Sequence, residues 1–245
     1  PRSFPEWARP NQLRAARAPR VTVDSCLRVS LLSDVPGRGE IQVTESQYTG
    51  VFAFEGDWEQ DLKDKSSMRP TLETLHDLFQ NEGFKFIYRR IGTPDELEYY
   101  VDEWLNERPR EGYGDYRIGY FAFHGEKGKI SPGGGNVSLE DLDDWINGRA
   151  QGRTIYFSSC STLDLETKRI KSFLRSTKAK AVVGFTKNVD WVESAAFDLI
   201  LLDALAYYHR QPRAADNYLR SPRRKHLKAF VEELGLKIIT SSSKP

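Results

Sequence analysis

Two stretches decide how this chain is read. Tyr116–Phe123, YRIGYFAF, runs directly into His124-Gly125, and Thr154–Ser159, TIYFSS, runs directly into Cys160-Ser161-Thr162. Each is a short, nearly continuous apolar run of aromatic and β-branched residues, the pattern of a strand buried on both faces. Each then delivers a reactive side chain at its end. A histidine and a cysteine at the ends of two strands are the parts of a thiol nucleophile and its base.

Outward from this pair the same alternation continues. Val51–Phe54 reads as a strand ending at Glu55-Gly56-Asp57, followed by a helix near Arg69–Asn81 with Leu72, Leu75, Leu78 and Phe79 on one face and Gly83 as its stop. Phe84–Tyr88 is the next strand. Thr93-Pro94-Asp95-Glu96 opens a helix, with Thr93 as N-cap, Pro94 at the first turn and Glu96 closing a capping box. Leu97, Tyr100, Val101, Trp104 and Leu105 then form an amphipathic stripe. Ser138 caps a helix to Asn147 with Asp141 at its third position. A helix near Leu165–Ser176, a strand Lys180–Phe185, a long apolar helix Ser194–Tyr208 and a short helix Leu227–Leu234 complete the series. Strands alternating with helices of 10–15 residues predict βαβ units and a parallel sheet covered on both faces. Gly133-Gly134-Gly135 reads as a turn. It lacks the Gly-Lys-Ser/Thr that would make it a phosphate loop.

The expected organisation is an N-terminal extension over 1–49 with an edge hairpin (Val21–Ser33 returning at Ile41–Val43), a core over 50–208, and a basic segment over 209–245 packed on or trailing that core. The chain of 245 residues carries a net charge of +1, so no global basic field argues for nucleic acid. The five arginines of residues 1–20 and the cluster Arg210, Arg213, Arg220, Arg223, Arg224, Lys225 and Lys228 have no interleaved aromatic platform, and read as solvated or partner-facing surface. No apolar run is long enough to span a membrane. The opening PRSFPEWARP shows no apolar signal core, and two cysteines, Cys26 and Cys160, are no disulfide framework, so a cytoplasmic setting is expected. No grouping of His, Cys and acids has zinc-ligand spacing, and no cofactor is expected.

In an open parallel sheet functional groups collect at the carboxyl ends of the strands. Consecutive strands are usually neighbours, about 4.8 Å apart. His124 and Cys160 should therefore meet, with the amides of Gly125 and Cys160 placed to receive an oxyanion.

Phe123-His124-Gly125 after one strand, Ser159-Cys160-Ser161-Thr162 after the next, the intervening Val137–Leu142 helix start, and Ala181–Phe185 followed by Asp190 and Ala195-Ala196-Phe197 together resemble the caspase-like (clan CD) cysteine peptidases, in particular the bacterial CHAT-type branch. The resemblance covers residues 50–208. It implies a caspase-like three-layer α/β/α sandwich with a mostly parallel sheet, His124 as general base and acid, Cys160 as nucleophile, and an extended protein or peptide substrate. It also implies a role in bacterial defence or cell death. A regulated enzyme, with an activator or regulatory protein as partner, is expected on a separate ground: an always-active endopeptidase in the cytoplasm would be harmful. The Gln-Ala-Cys-x-Gly pentad of animal caspases is absent, and Ser158 stands where metacaspases carry Asp, so neither aspartate-directed nor calcium-dependent cleavage carries over. Acids at two strand ends, Glu55/Asp57 and Asp190/Glu193, suggest a basic residue before the scissile bond, with Asp57, Asp190 and Ser158 as candidate substrate contacts. Two other functions compete: a catalytically silent interaction module of the same fold, and a thiol-redox protein using Cys160 with Cys26 as resolving thiol.

Overall fold

The computed structural model describes residues 48–59, 63, 65–106 and 112–241. The expected hairpin at 21–43 and Cys26 lie outside them. The elements in chain order are β1 (Val51–Glu55), α1 (Arg69–Phe79) running into a 3-10 turn (Gln80–Glu82), β2 (Phe86–Arg90), α2 (Pro94–Leu105), β3 (Ile118–Ala122), β4 (His124–Glu126), β5 (Lys129–Ser131), β6 (Val137–Ser138), α3 (Leu139–Ile146), β7 (Thr154–Ser158), α4 (Thr167–Ser176), β8 (Ala181–Phe185), α5 (Trp191–Tyr207), α6 (Pro212–Leu219), α7 (Lys225–Leu234) and β9 (Leu236–Thr240).

A six-stranded sheet in the order β2-β1-β3-β7-β8-β9 forms the centre. Its first five strands are parallel, and β9 closes the edge antiparallel to β8. All five residues of β1, β3, β7 and β8 are buried, as continuous apolar strands require. The period of two then sorts them between two cores. Val51, Ala53, Tyr120, Tyr156 and Val183 face a layer of α1, α5, α6 and α7, where Leu72, Leu201, Leu205, Leu219 and Val231 meet them. Phe52, Phe54, Phe121, Phe157 and Val182 face α2, α3 and α4, where Leu97, Trp104, Leu142, Ile170 and Phe173 meet them. The result is a three-layer α/β/α sandwich with a mostly parallel sheet, as the alternation predicted. Gly119 shows how tight the second core is: a Cβ there would lie 2.5 Å from the Trp104 ring. Since interiors are packed at crystal-like density, only glycine fits.

The local starts follow the predicted chemistry with informative differences. Thr93 accepts the Glu96 amide at 3.2 Å, but the Glu96 carboxylate turns back to the amide of Gly92 at 2.7 Å instead of closing the box on Thr93. Ser138 and Asp141 do close a full capping box on α3. Strand β2 sits two residues later than the apolar pattern suggested, because Phe84 is drawn into the core as the chain leaves the left-handed Gly83. Helix α5 starts at Trp191, three residues early, because Asp190 caps it.

The segment 124–138, in which the sequence suggested only a turn at Gly133-Gly134-Gly135, folds into a second sheet, β4-β5-β6, antiparallel throughout. Residues after 208 supply two helices and β9. No helix among the described residues is long and apolar enough to cross a membrane.

Candidate active site

Strands β3 and β7 are hydrogen-bonded neighbours in a register that pairs Ala122 with Ser158. His124 and Cys160 therefore each stand two residues beyond the same rung, at the carboxyl edge of the sheet. His124 is exposed and Cys160 half-buried. The chain reverses sharply after the cysteine. Ser161 has φ +50, a left-handed conformation that a non-glycine residue holds only under constraint. The constraint is the loop after β8: the Ser161 amide donates to the Lys187 carbonyl at 2.9 Å, and its hydroxyl to the Asn188 side-chain oxygen at 2.8 Å. On the other side the small sheet abuts this turn. Gly128 N–H donates to the Thr162 carbonyl at 3.1 Å. A Cβ on Gly125 would stand 2.4 Å from Thr162 Oγ1, 2.5 Å from the Cys160 carbonyl and 2.7 Å from Ser159 Cβ. Glycine at 125 is what lets the two motifs touch.

The imidazole and thiol do not hydrogen-bond to each other. His124 Nε2 bonds the Trp58 carbonyl, just past β1. A carbonyl can only accept, so Nε2 carries the proton and Nδ1 of the neutral ring is left with its lone pair. The Trp58 indole packs edge-on to the His124 ring, centroids 5.3 Å apart, and edge-on to Trp191 at 4.5 Å. The Cys160 sulfur lies 3.8 Å from the Val189 carbonyl, a weak S–H donor contact. Trp191 and Val192, 37% and 70% exposed, stand a few residues beyond it at the start of α5.

The acids proposed from sequence have particular tasks. Glu55 does not border a pocket; it is 1% exposed. Its Oε1 accepts from Trp58 Nε1 and the Met68 amide, and its Oε2 from the Ser67 and Tyr88 hydroxyls, all at 2.6 Å. Burial, with the hydrogen bond to Glu55 next, raises the Tyr88 hydroxyl above its ordinary range, so it stays a donor. Asp57 pairs with Arg90 at 2.9 Å, and Asp190 Oδ1 caps α5 through the amides of Val192 and Glu193. The Ser158 hydroxyl points into the interior and donates to Asp198 at 2.8 Å.

Asp198, in α5 and fully buried, also accepts from the hydroxyls of Tyr120 and Tyr156. Desolvation pushes its carboxyl up to about 6, against the pull of those three donors. Burial and the neighbouring Asp198 charge hold both tyrosines well above their ordinary range. Among the described residues no cluster of three or more His, Cys, Asp or Glu could hold a metal ion.

Sequence reading missed Trp58 and the role of Glu55. The only signal available was their position just after an apolar strand, which names no task. The small sheet was missed because its three strands are only two or three residues long.

These features define an α/β protein with a mostly parallel central sheet and a cysteine and a histidine just beyond the carboxyl ends of adjacent central strands. The chain belongs to a family of unknown function, DUF6642, whose family model matches residues 48–211. No curated protein matches it. Among solved structures it is similar to the crystal structure of caspase-1 from Spodoptera frugiperda, with a TM-score of 0.45 and 12% identity over 83% of this chain and 93% of that one.

Proposed function

We propose that this chain is a caspase-like cysteine endopeptidase of the CHAT type that cleaves protein substrates through an acyl-enzyme at Cys160. The observation that carries the reading is the shared rung: His124 and Cys160 each follow the Ala122–Ser158 pair by two residues, with Gly125 seated on the Cys160 carbonyl. The motif resemblance over residues 50–208 supports it.

In this reading Nδ1 of His124 takes the thiol proton as the sulfur attacks the substrate carbonyl carbon. A C–S bond forms and the carbonyl electrons move to oxygen, facing the amides of Gly125 and Cys160. The imidazolium then gives its proton to the departing amine as the C–N bond breaks. Water, deprotonated by the same nitrogen, attacks the thioester; a C–O bond forms, the C–S bond breaks, and the thiolate regains its proton. Because Nε2–H is tied to Trp58, the ring keeps the tautomer this sequence needs. The absence of a direct His–Cys bond is compatible with it, since such contacts often tighten only when substrate binds.

A basic residue before the scissile bond belongs to the same proposal. Asp57 and Asp190 each use Oδ1 in their described bonds, which leaves Oδ2 to meet a cation. A cytoplasmic setting belongs to the same reading through the sparse cysteines, and regulation by an activating protein through the harm an always-active endopeptidase would do there; a role in defence or cell death rests on the resemblance alone.

The test is a positional peptide library offered to the wild type and to Cys160→Ala. Cleavage by the wild type alone, strongest after Arg or Lys, is the expected result. Binding without cleavage by either protein, with and without candidate activators, would instead favour a silent interaction module. Unchanged cleavage after Arg or Lys in Asp57→Ala/Asp190→Ala would remove the basic preference.

A further inference from the structure

The histidine is held by a carbonyl, and that carbonyl is held by something. We infer that Glu55 is a positioning residue for His124, acting through Trp58; this rests on reading His124 as the base for Cys160.

A backbone carbonyl just outside a strand is an unreliable anchor unless its own residue is fixed. Trp58 is fixed at its side chain. Its indole N–H donates to Glu55 Oε1 at 2.6 Å, only three residues back along the chain. Glu55 is in turn the last residue of β1, inside the central sheet, where it is bonded to both β2 and β3. Its two oxygens take four donors from four places: Trp58, the Met68 amide ahead of α1, Ser67, and Tyr88 of β2. A buried carboxylate is costly unless its acceptor sites are filled, and here each oxygen receives two donors. The same indole that bonds Glu55 also packs on the His124 ring at 5.3 Å, while its residue's carbonyl receives Nε2–H. Glu55 thus sets both the height and the tautomer of the imidazole without touching it. The line runs from the sheet through one carboxylate, one indole and one carbonyl to the base.

The arrangement makes a sharp distinction between substitutions. In Glu55→Gln the amide oxygen can replace Oε1 and keep both Trp58 and Met68. The amide NH2 replaces Oε2 and donates to the Ser67 and Tyr88 hydroxyls, which can turn to accept. Glu55→Leu offers no acceptor at all. Trp58→Phe keeps the ring but deletes the indole donor, and serves as the variant that folds if Glu55→Leu does not.

The probe is the His124 Nε2–H proton, observed by NMR in mildly alkaline buffer, assigned by its loss in His124→Gln, and followed by its exchange with solvent. The protected proton should persist in wild type and in Glu55→Gln. It should exchange at least about tenfold faster, or broaden away, in Glu55→Leu and Trp58→Phe, a factor in keeping with one lost hydrogen bond. Thermal unfolding of each variant separates this from loss of the fold. Wild-type protection in a folded Trp58→Phe overturns the inference, and so does loss in Glu55→Gln as deep as in Glu55→Leu. The proton reports the anchoring whether or not any peptide is cut. A protected proton in a protein that cleaves nothing counts against the peptidase reading alone.

Discussion

Two buried acids lie on the same face of the central sheet. Glu55 ends β1, beside the strand that leads to His124; Asp198 projects from α5 and bonds side chains of both β3 and β7. Both are almost entirely out of water, at 1% and 0% exposure. They differ in what holds them. Glu55 receives four donors, one of them a backbone amide, and the chain of contacts leads outward to His124. Asp198 receives three hydroxyls and the contacts lead sideways, tying Tyr120 of β3 to Tyr156 and Ser158 of β7. In the proposed site the first places the histidine. The second fastens the two strands whose ends carry His124 and Cys160, and touches neither residue. A buried carboxylate near a site is therefore not automatically part of its chemistry; where its donors lead decides.

The largest effect that separates the two should come from Asp198→Ala. It strands three buried hydroxyls without their acceptor, and stability should fall by about 2–4 kcal/mol in denaturant titrations. The folded fraction should still protect the His124 Nε2–H proton. Loss of that proton in Asp198→Ala would collapse the distinction.

The pH dependence follows next. The Asp198 carboxyl stands at about 6 in the fold against an ordinary 3.8. Folding favours its protonated form, so its contribution is complete below about pH 4 and is lost as pH climbs through 6. The stability of the wild type should decline over that window by up to about 3 kcal/mol. Asp198→Asn, which keeps an acceptor for the hydroxyls and cannot ionise, should remove that part of the slope in unfolding curves recorded from pH 4 to 8. An unchanged slope would mean that another group carries it.

Much of the fold was legible because the strands β1, β3, β7 and β8 are nearly continuous apolar runs and the helices α2 and α3 begin with side chains that cap them. The placing of His124 and Cys160 after two neighbouring strands was legible too, since consecutive strands of a parallel sheet tend to pair. Three things were not. The strands β4, β5 and β6 are too short to carry a period. The edge strand β9, LKIIT, is half-buried and follows a helix, so its sequence does not separate it from a helix tail. The part played by Glu55 depends on four donors scattered from residue 58 to residue 88, a coincidence only tertiary structure creates.

The seam between the two halves gives a smaller effect. Gly125→Ala must push a methyl into the Cys160 carbonyl and Thr162, at a cost of about 1–3 kcal/mol. Any peptidase activity should fall by more than the stability loss explains, because the displaced atoms lie beside the thiol. Comparison of kcat/KM with unfolding midpoints checks this.

Smallest are the exposed acids. Asp190→Ala removes an N-cap worth about 1 kcal/mol. Asp57→Ala breaks a half-exposed ion pair with Arg90 worth at most about 1 kcal/mol. Neither should move the His124 proton, in contrast to Glu55→Leu. Thermal unfolding together with the NMR signal would reveal any exception.

The most direct test of the central claim is the rate of iodoacetamide labelling at Cys160 relative to Cys26, read by mass spectrometry near pH 7 in the wild type and in His124→Ala. The account predicts that Cys160 labels at least about tenfold faster than Cys26 in the unfolded-corrected comparison, and that the advantage disappears when the imidazole is removed. Equal labelling of Cys160 in the two folded proteins would contradict it.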